Sequence, residues 1–187
     1  LAVELCSLTL QRDDASVQNI IASGLFGDGA AAVVVRGGEV DAPGPRVVAT
    51  RSVFYPGTER VMGWDFVDTG FKVVLSAKVP EVVAGHIRAD VDAFLHSQGL
   101  TRDDVTHWVA HTGGPKVLRA FEVALELPPA ALRRSWESLR EVGNLSSASV
   151  LFVLSELLAS GEARAGDYGL LMAMGPGFCA ELVLLRW

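Results

Sequence analysis

Residues 107–115 read His107-Trp108-Val109-Ala110-His111-Thr112-Gly113-Gly114-Pro115, and the folding of this stretch decides the layout of the rest. His107 to Ala110 is a short apolar run closed by a glycine pair, as expected of a buried strand. Pro115 has the backbone angle of a first helical turn, where its missing N–H costs no hydrogen bond. A helix is predicted from there to Leu125. A strand leading through two glycines into a helix is a joint of a layered α/β fold. It also places His111 at the C-terminal edge of the strand, where such sheets hold their ligands.

Moving outward, the same alternation continues. Downstream, helices are predicted over Pro129 to Arg140 and Ser146 to Ser160. Two apolar runs follow, Tyr168 to Met174 and Phe178 to Leu185, joined by Gly175-Pro176-Gly177. They read as an antiparallel strand pair around a tight turn. Upstream, Thr101 caps a short turn at Asp103-Asp104. Val79 to Ser97 is a long helix with an apolar stripe of Val83, Ile87, Val91, Phe94 and Leu95, ended by Gly99. Arg46 to Phe54 reads as a strand, preceded by a surface loop between Gly37-Gly38 and Pro43-Gly44-Pro45. Ala30 to Val35, after the Gly27-Asp28-Gly29 turn, reads as a strand covered on both faces. Asp13-Asp14 caps a helix over Ala15 to Ser23. Leu1, Val3 and Leu5 alternate with Ala2, Glu4 and Cys6 in the period of a further strand. The expected architecture is α/β, with a mixed sheet between helices.

Composition narrows the function. The chain has 187 residues, 50% hydrophobic and only 20% charged, enough apolar material for a buried core. Its 16 basic and 22 acidic residues give a net charge of −6, which argues against nucleic acid as a partner. The apolar runs are broken by Glu156, Pro176 and Glu181, short of the roughly 18 residues of a membrane span. No signal-peptide pattern precedes them, so a cytoplasmic location is expected. Cys6 and Cys179 stand in no metal-like spacing, so neither a zinc site nor a disulfide scaffold is expected. The chain opens on Leu1, without Met and already in a strand pattern. This reads as a protein that continues N-terminally.

Two polar loop tips could carry chemistry. His111 precedes a helix, and a lone histidine there is more often a turn residue satisfied by a carbonyl than a functional group. Gly143-Asn144-Leu145-Ser146-Ser147 precedes another helix, and Asn144 or Ser146 could be its N-cap. Together, however, a histidine and an uncharged amide make a two-donor pocket for a developing oxyanion. Cys6 and Cys179 are read as strand residues with inert thiols, His86 and His96 as lying on the wet side of the long helix, and Phe26 as core. There is no GxGxxG, P-loop or HExxH signature.

The His111-Thr-Gly-Gly-Pro loop, the Gly143-Asn-Leu-Ser-Ser helix start and the terminal Gly175-Pro-Gly follow the order and spacing of the type III polyketide synthases, the chalcone- and stilbene-synthase-like enzymes. Cys6-Ser7-Leu8-Thr9 and Leu25-Phe26-Gly27-Asp28-Gly29-Ala30-Ala31 resemble that family too, so the resemblance spans the chain. Fatty-acid-initiating ketoacyl synthases typically carry Gln-Ala-Asn after the histidine, so the loop favours the polyketide branch. The resemblance implies that residues 1–187 form the C-terminal half of a thiolase-like, layered αβαβα fold. It implies decarboxylative condensation of an acyl-CoA starter with malonyl-CoA, followed by cyclisation. The partners are these CoA thioesters, a missing N-terminal half and a second copy in a homodimer; no cofactor is implied.

The same resemblance assigns roles. His111 and Asn144 match the pair that holds the malonyl thioester carbonyl during loss of CO2. Phe26 matches a gatekeeper phenylalanine. Val73 falls where the family has a second one, which implies a wider cavity mouth. Thr9 and Ser146 match cavity-lining positions, Gly175, Pro176 and Gly177 match the loop at the cavity floor, and Trp64 stands where a small residue is usual and would cut into the pocket. The family's nucleophilic cysteine lies upstream of the strand that opens this chain; neither Cys6 nor Cys179 takes its place. Without that cysteine the chain alone is expected to be inactive, with an uncovered apolar face. The alternatives are a non-catalytic binding or dimerisation module, or a ketoacyl synthase of the fatty-acid-initiating type.

Overall fold

A computed structural model describes residues 1–40 and 43–187. Residues 41 and 42, inside the expected surface loop, lie outside the described residues. The order is β1 (Ala2–Glu4), a 3-10 turn (Cys6–Thr9), α1 (Val17–Leu25), β2 (Gly29–Ala31), β3 (Arg46–Phe54), β4 (Met62–Val67), β5 (Gly70–Leu75), α2 (Val79–His96), β6 (Val105–Ala110), α3 (Pro115–Leu125), α4 (Arg133–Val142), α5 (Ser149–Ser160), β7 (Tyr168–Gly175) and β8 (Cys179–Arg186). Four strands form the main sheet in the order β3-β8-β7-β6. Only β6 and β7 run parallel, so the sheet is mixed.

The sheet's periodicity sorts the core. Trp108, Ala110, Leu170, Met172, Leu182 and Leu184 point to one face and pack with α2 and α3 in the main apolar cluster. Val109 and Leu171 point the other way, against Val150, Val153 and Leu157 of α5. The sheet is therefore covered on both faces at β6 and β7. At β3 it is not: Thr50, Ser52 and Phe54 alternate into solvent. All five stripe residues of α2 are buried, as expected, and Gly99 follows with φ of +71°.

Several elements depart from expectation. α1 begins later, because Ser16 rather than Asp13 or Asp14 caps it, accepting the Asn19 N–H at 3.3 Å. β2 stops at Ala31, since only three residues pair with β1; Val33, Val34 and Val35 are exposed. α4 starts at Arg133, the residues after Pro129 being used in a turn. The helix expected at Ser146 opens with a 3-10 turn over Ser146–Ala148. Cys6 sits in the first 3-10 turn, not on a strand. β4 and β5 form a hairpin not foreseen, a separate two-stranded sheet. Among the described residues no helix is long and apolar enough to cross a membrane.

Candidate functional site

The ladder between β6 and β7 continues one residue past the strand: His111 N–H donates to the Met172 carbonyl at 2.9 Å. That bond pins the histidine at the sheet's C-terminal edge. Its own carbonyl accepts from Gly113 N–H at 2.9 Å, and Gly114, with φ of +135°, turns the chain into α3. The imidazole is 9% exposed and lies in apolar surroundings. Burial alone pushes its pKa from 6.5 down to about 4, because an uncompensated charge is costly there. At neutral pH the ring is uncharged.

Asn144 reaches the same place from α4. Gly143 ends that helix with φ +74° and ψ −152°, a conformation glycine alone adopts easily. The turn brings Asn144 N–H onto the Leu25 carbonyl at 2.8 Å, while the Asn144 carbonyl accepts from Gly27 N–H at 3.0 Å. Its side-chain oxygen accepts from Ser146 N–H at 2.8 Å and lies 3.4 Å from Ser149 Oγ. With the oxygen so engaged, the amide NH2 is the free end.

Both residues line one cavity of about 400 Å³. Its wall is mostly apolar and includes Phe26, Phe121, Met174 and Phe178; Lys116 carries the one formal charge among the described lining residues. A neutral imidazole and a neutral amide facing an apolar space can bind a carbonyl oxygen and stabilise negative charge on it. Among the described residues no group of three or more His, Cys, Asp or Glu could hold a metal.

The remaining candidates are spread around this cavity. Phe26 borders it and also a smaller one of about 250 Å³ that Thr9 and Cys6 line. Gly175 ends β7 and Pro176, Gly177 and Phe178 form the β7–β8 turn; of this stretch Met174 and Phe178 line the cavity, whereas Gly175, Pro176 and Gly177 lie outside its lining. Ser146 sits beside Asn144 with φ of +52° and outside the described lining of either cavity. Val73 is half-buried on β5 opposite Trp64, outside both linings. Trp64 does not enter the pocket; it is 41% exposed and meets Phe71 edge-on at 6.1 Å. The hairpin contributes Met62 and Leu75 instead, which the sequence signalled only as scattered apolar residues. Both thiols are pushed up, Cys6 by burial and then Glu4 and Asp28, Cys179 by burial and then Glu181. These surroundings favour the unreactive thiol over the thiolate.

The family described as chalcone and stilbene synthases, C-terminal domain, matches residues 46–187. The chain is 55% identical to the 1,3,6,8-tetrahydroxynaphthalene synthase of Streptomyces peucetius subsp. caesius, covering 100% of this chain and 50% of that protein. It is 38% identical to a putative chalcone synthase of Bacillus subtilis (strain 168), covering 100% of this chain and 53% of the other. The crystal structure of the 1,3,6,8-tetrahydroxynaphthalene synthase of Streptomyces coelicolor A3(2), a bacterial type III polyketide synthase, superimposes with a TM-score of 0.94 at 36% identity, over 100% of this chain and 53% of that one. The chain thus spans about half the length of the relatives it matches.

Proposed function

The chain belongs to the chalcone and stilbene synthase family, and we propose that it serves as the C-terminal half of a type III polyketide synthase extending an acyl-CoA starter with malonyl-CoA. The observation that carries this reading is the pairing of a neutral His111 with the free amide of Asn144 in one apolar cavity. The two side chains donate to the thioester carbonyl of malonyl-CoA. The bond to the carboxylate breaks, CO2 leaves, and its electron pair becomes the enolate whose oxygen the two donors hold. A neutral imidazole suits this task, because an imidazolium would protonate the carbanion before it condensed. The carbanion then attacks the acyl thioester carbonyl, forming the carbon–carbon bond and expelling the thiolate. The nucleophile that carries the acyl group comes from the N-terminal half.

In the same reading Phe26 separates the substrate tunnel from the cavity, Thr9 lines the smaller space beside it, and Val73, Ser146 and the Gly175-Pro176-Gly177 turn act on the space from behind its lining. No cofactor is needed beyond the CoA thioesters themselves. The N-terminal half covers the exposed apolar residues of β1, α1 and the Val33-Val34-Val35 segment, and the enzyme works as a cytoplasmic homodimer. The test is malonyl-CoA decarboxylation by the full-length protein. His111→Ala and Asn144→Ala each lower its rate by about 10²–10³; wild-type rates in either variant overturn the assignment.

A further inference from the structure

Past the end of β3, the strand pairing with β8 is interrupted by one hydroxyl. At every second position of such an antiparallel pair the two facing residues exchange two hydrogen bonds, each N–H donating to the other's carbonyl. Tyr55 and Phe178 make only half of that exchange: Tyr55 N–H donates to the Phe178 carbonyl at 3.0 Å. In the other half the hydroxyl of Thr58 stands between them. It accepts from Phe178 N–H at 2.9 Å and donates to the Tyr55 carbonyl at 2.5 Å. The relay takes the place of the direct bond at Phe178, which is 1% exposed and forms part of the cavity wall.

The anchor on the other side is firm. Tyr55 is buried, its hydroxyl donates to Asp90 of α2 at 2.6 Å, and its ring stacks on His86 at 4.7 Å. Phe178 leans on that anchor through its carbonyl and through a tilted ring contact at 6.3 Å, but its N–H, directly after Gly175-Pro176-Gly177, is held by the Thr58 hydroxyl. The Thr58 hydroxyl therefore links the position of the Phe178 backbone to the fixed end of β3.

Resting on the polyketide-synthase reading above, we propose that Thr58 is a positioning residue that sets the depth of the cavity through Phe178, and with it the length of polyketide the enzyme releases. Without the hydroxyl, Phe178 N–H either loses its partner or closes directly on the Tyr55 carbonyl. Both outcomes move the ring. In an apolar pocket a displacement comparable to one methylene changes discrimination between ligands by on the order of tenfold.

The experiment is the ratio of longer to shorter products formed by the full-length enzyme from one acyl-CoA starter and malonyl-CoA. Thr58→Val shifts that ratio by on the order of tenfold, and Thr58→Ser, which keeps the hydroxyl, restores it. Phe178→Leu shifts the ratio as well, a second arm that does not depend on Thr58→Val folding. Turnover that falls in Thr58→Val with the ratio unchanged makes the residue merely structural and overturns the proposal. So does an unchanged ratio in Phe178→Leu. A wild-type enzyme that makes no polyketide removes the parent reading and this one together. A wild-type enzyme that makes polyketide, with ratios insensitive to both positions, removes this one alone.

Discussion

Asn144 and Phe26 lie side by side as a parallel bridge, the only backbone pairing of the 25–27 segment with the start of the last helical region among the described residues. A polar group of the candidate site and an aromatic wall of its cavity thus share one junction. Movement of either is transmitted to the other through two backbone hydrogen bonds.

Gly143 makes that junction possible. A Cβ there would stand 2.7 Å from the Leu25 carbonyl oxygen, at a φ of +74°. Gly143→Ala is expected to cost about 2–4 kcal/mol through strain and displacement of Leu25. Chemical denaturation measures it, and a loss within experimental error of zero contradicts the account.

Lowering the pH should destabilise the fold through His111. The unfolded chain takes up a proton near pH 6.5, whereas the folded chain does so only near 4. Between these values the unfolded state binds more protons, so stability declines as pH falls through that window and is unaffected above it. A shift of this size corresponds to about 3 kcal/mol when complete. The slope of unfolding free energy against pH is expected to be shallower in His111→Gln; parallel slopes would refute the burial argument.

The β4–β5 hairpin is fastened by few groups, of which Gln11 is the most central. Its amide donates to the Phe71 carbonyl at 3.1 Å, its oxygen accepts from Thr69, and its own carbonyl accepts from Asn19 Nδ2 at 2.8 Å. Lys72 and Asp14 add an ion pair at 2.6 Å. Gln11→Ala should cost about 1–3 kcal/mol and raise amide exchange chiefly within residues 62–75. Exchange that rises evenly across the chain would mean that the hairpin does not open as a unit.

Neighbouring residues of α2 should respond very differently. Ile87 is fully buried in the main core, and Ile87→Ala is expected to cost about 2–5 kcal/mol. His86 is exposed and only stacks on Tyr55, so His86→Ala should cost no more than about 1 kcal/mol. Equal losses in thermal or denaturant unfolding would contradict the burial pattern of the helix.

Legibility in the sequence followed how much of each element's pattern is local. α2 was readable because its stripe repeats over more than three turns and a glycine follows its end. β7 and β8 were readable because two apolar runs flank one tight turn. The β4–β5 hairpin was not, because Asp65, Lys72 and three exposed aromatics break the alternation, and its stability comes from Gln11 far away in the chain. β2 was overestimated because a β-branched run is no strand without a partner, and Val33 to Val35 find none among the described residues. At the site, His111 and Asn144 could be named from their loops. Thr58 could not, since its importance arises from a strand register that local sequence does not encode.

The parallel pairing of β6 with β7 has a consequence in time. Antiparallel neighbours can zip from a short turn, but these two strands meet only after the chain between them, with α3, α4 and α5, has been gathered in. His111 stands at the start of that excursion, and Asn144 is carried within it. The two side chains thus meet only at the end of a long-range closure, and a partly folded chain, however much helix it contains, does not yet hold His111 and Asn144 in one cavity.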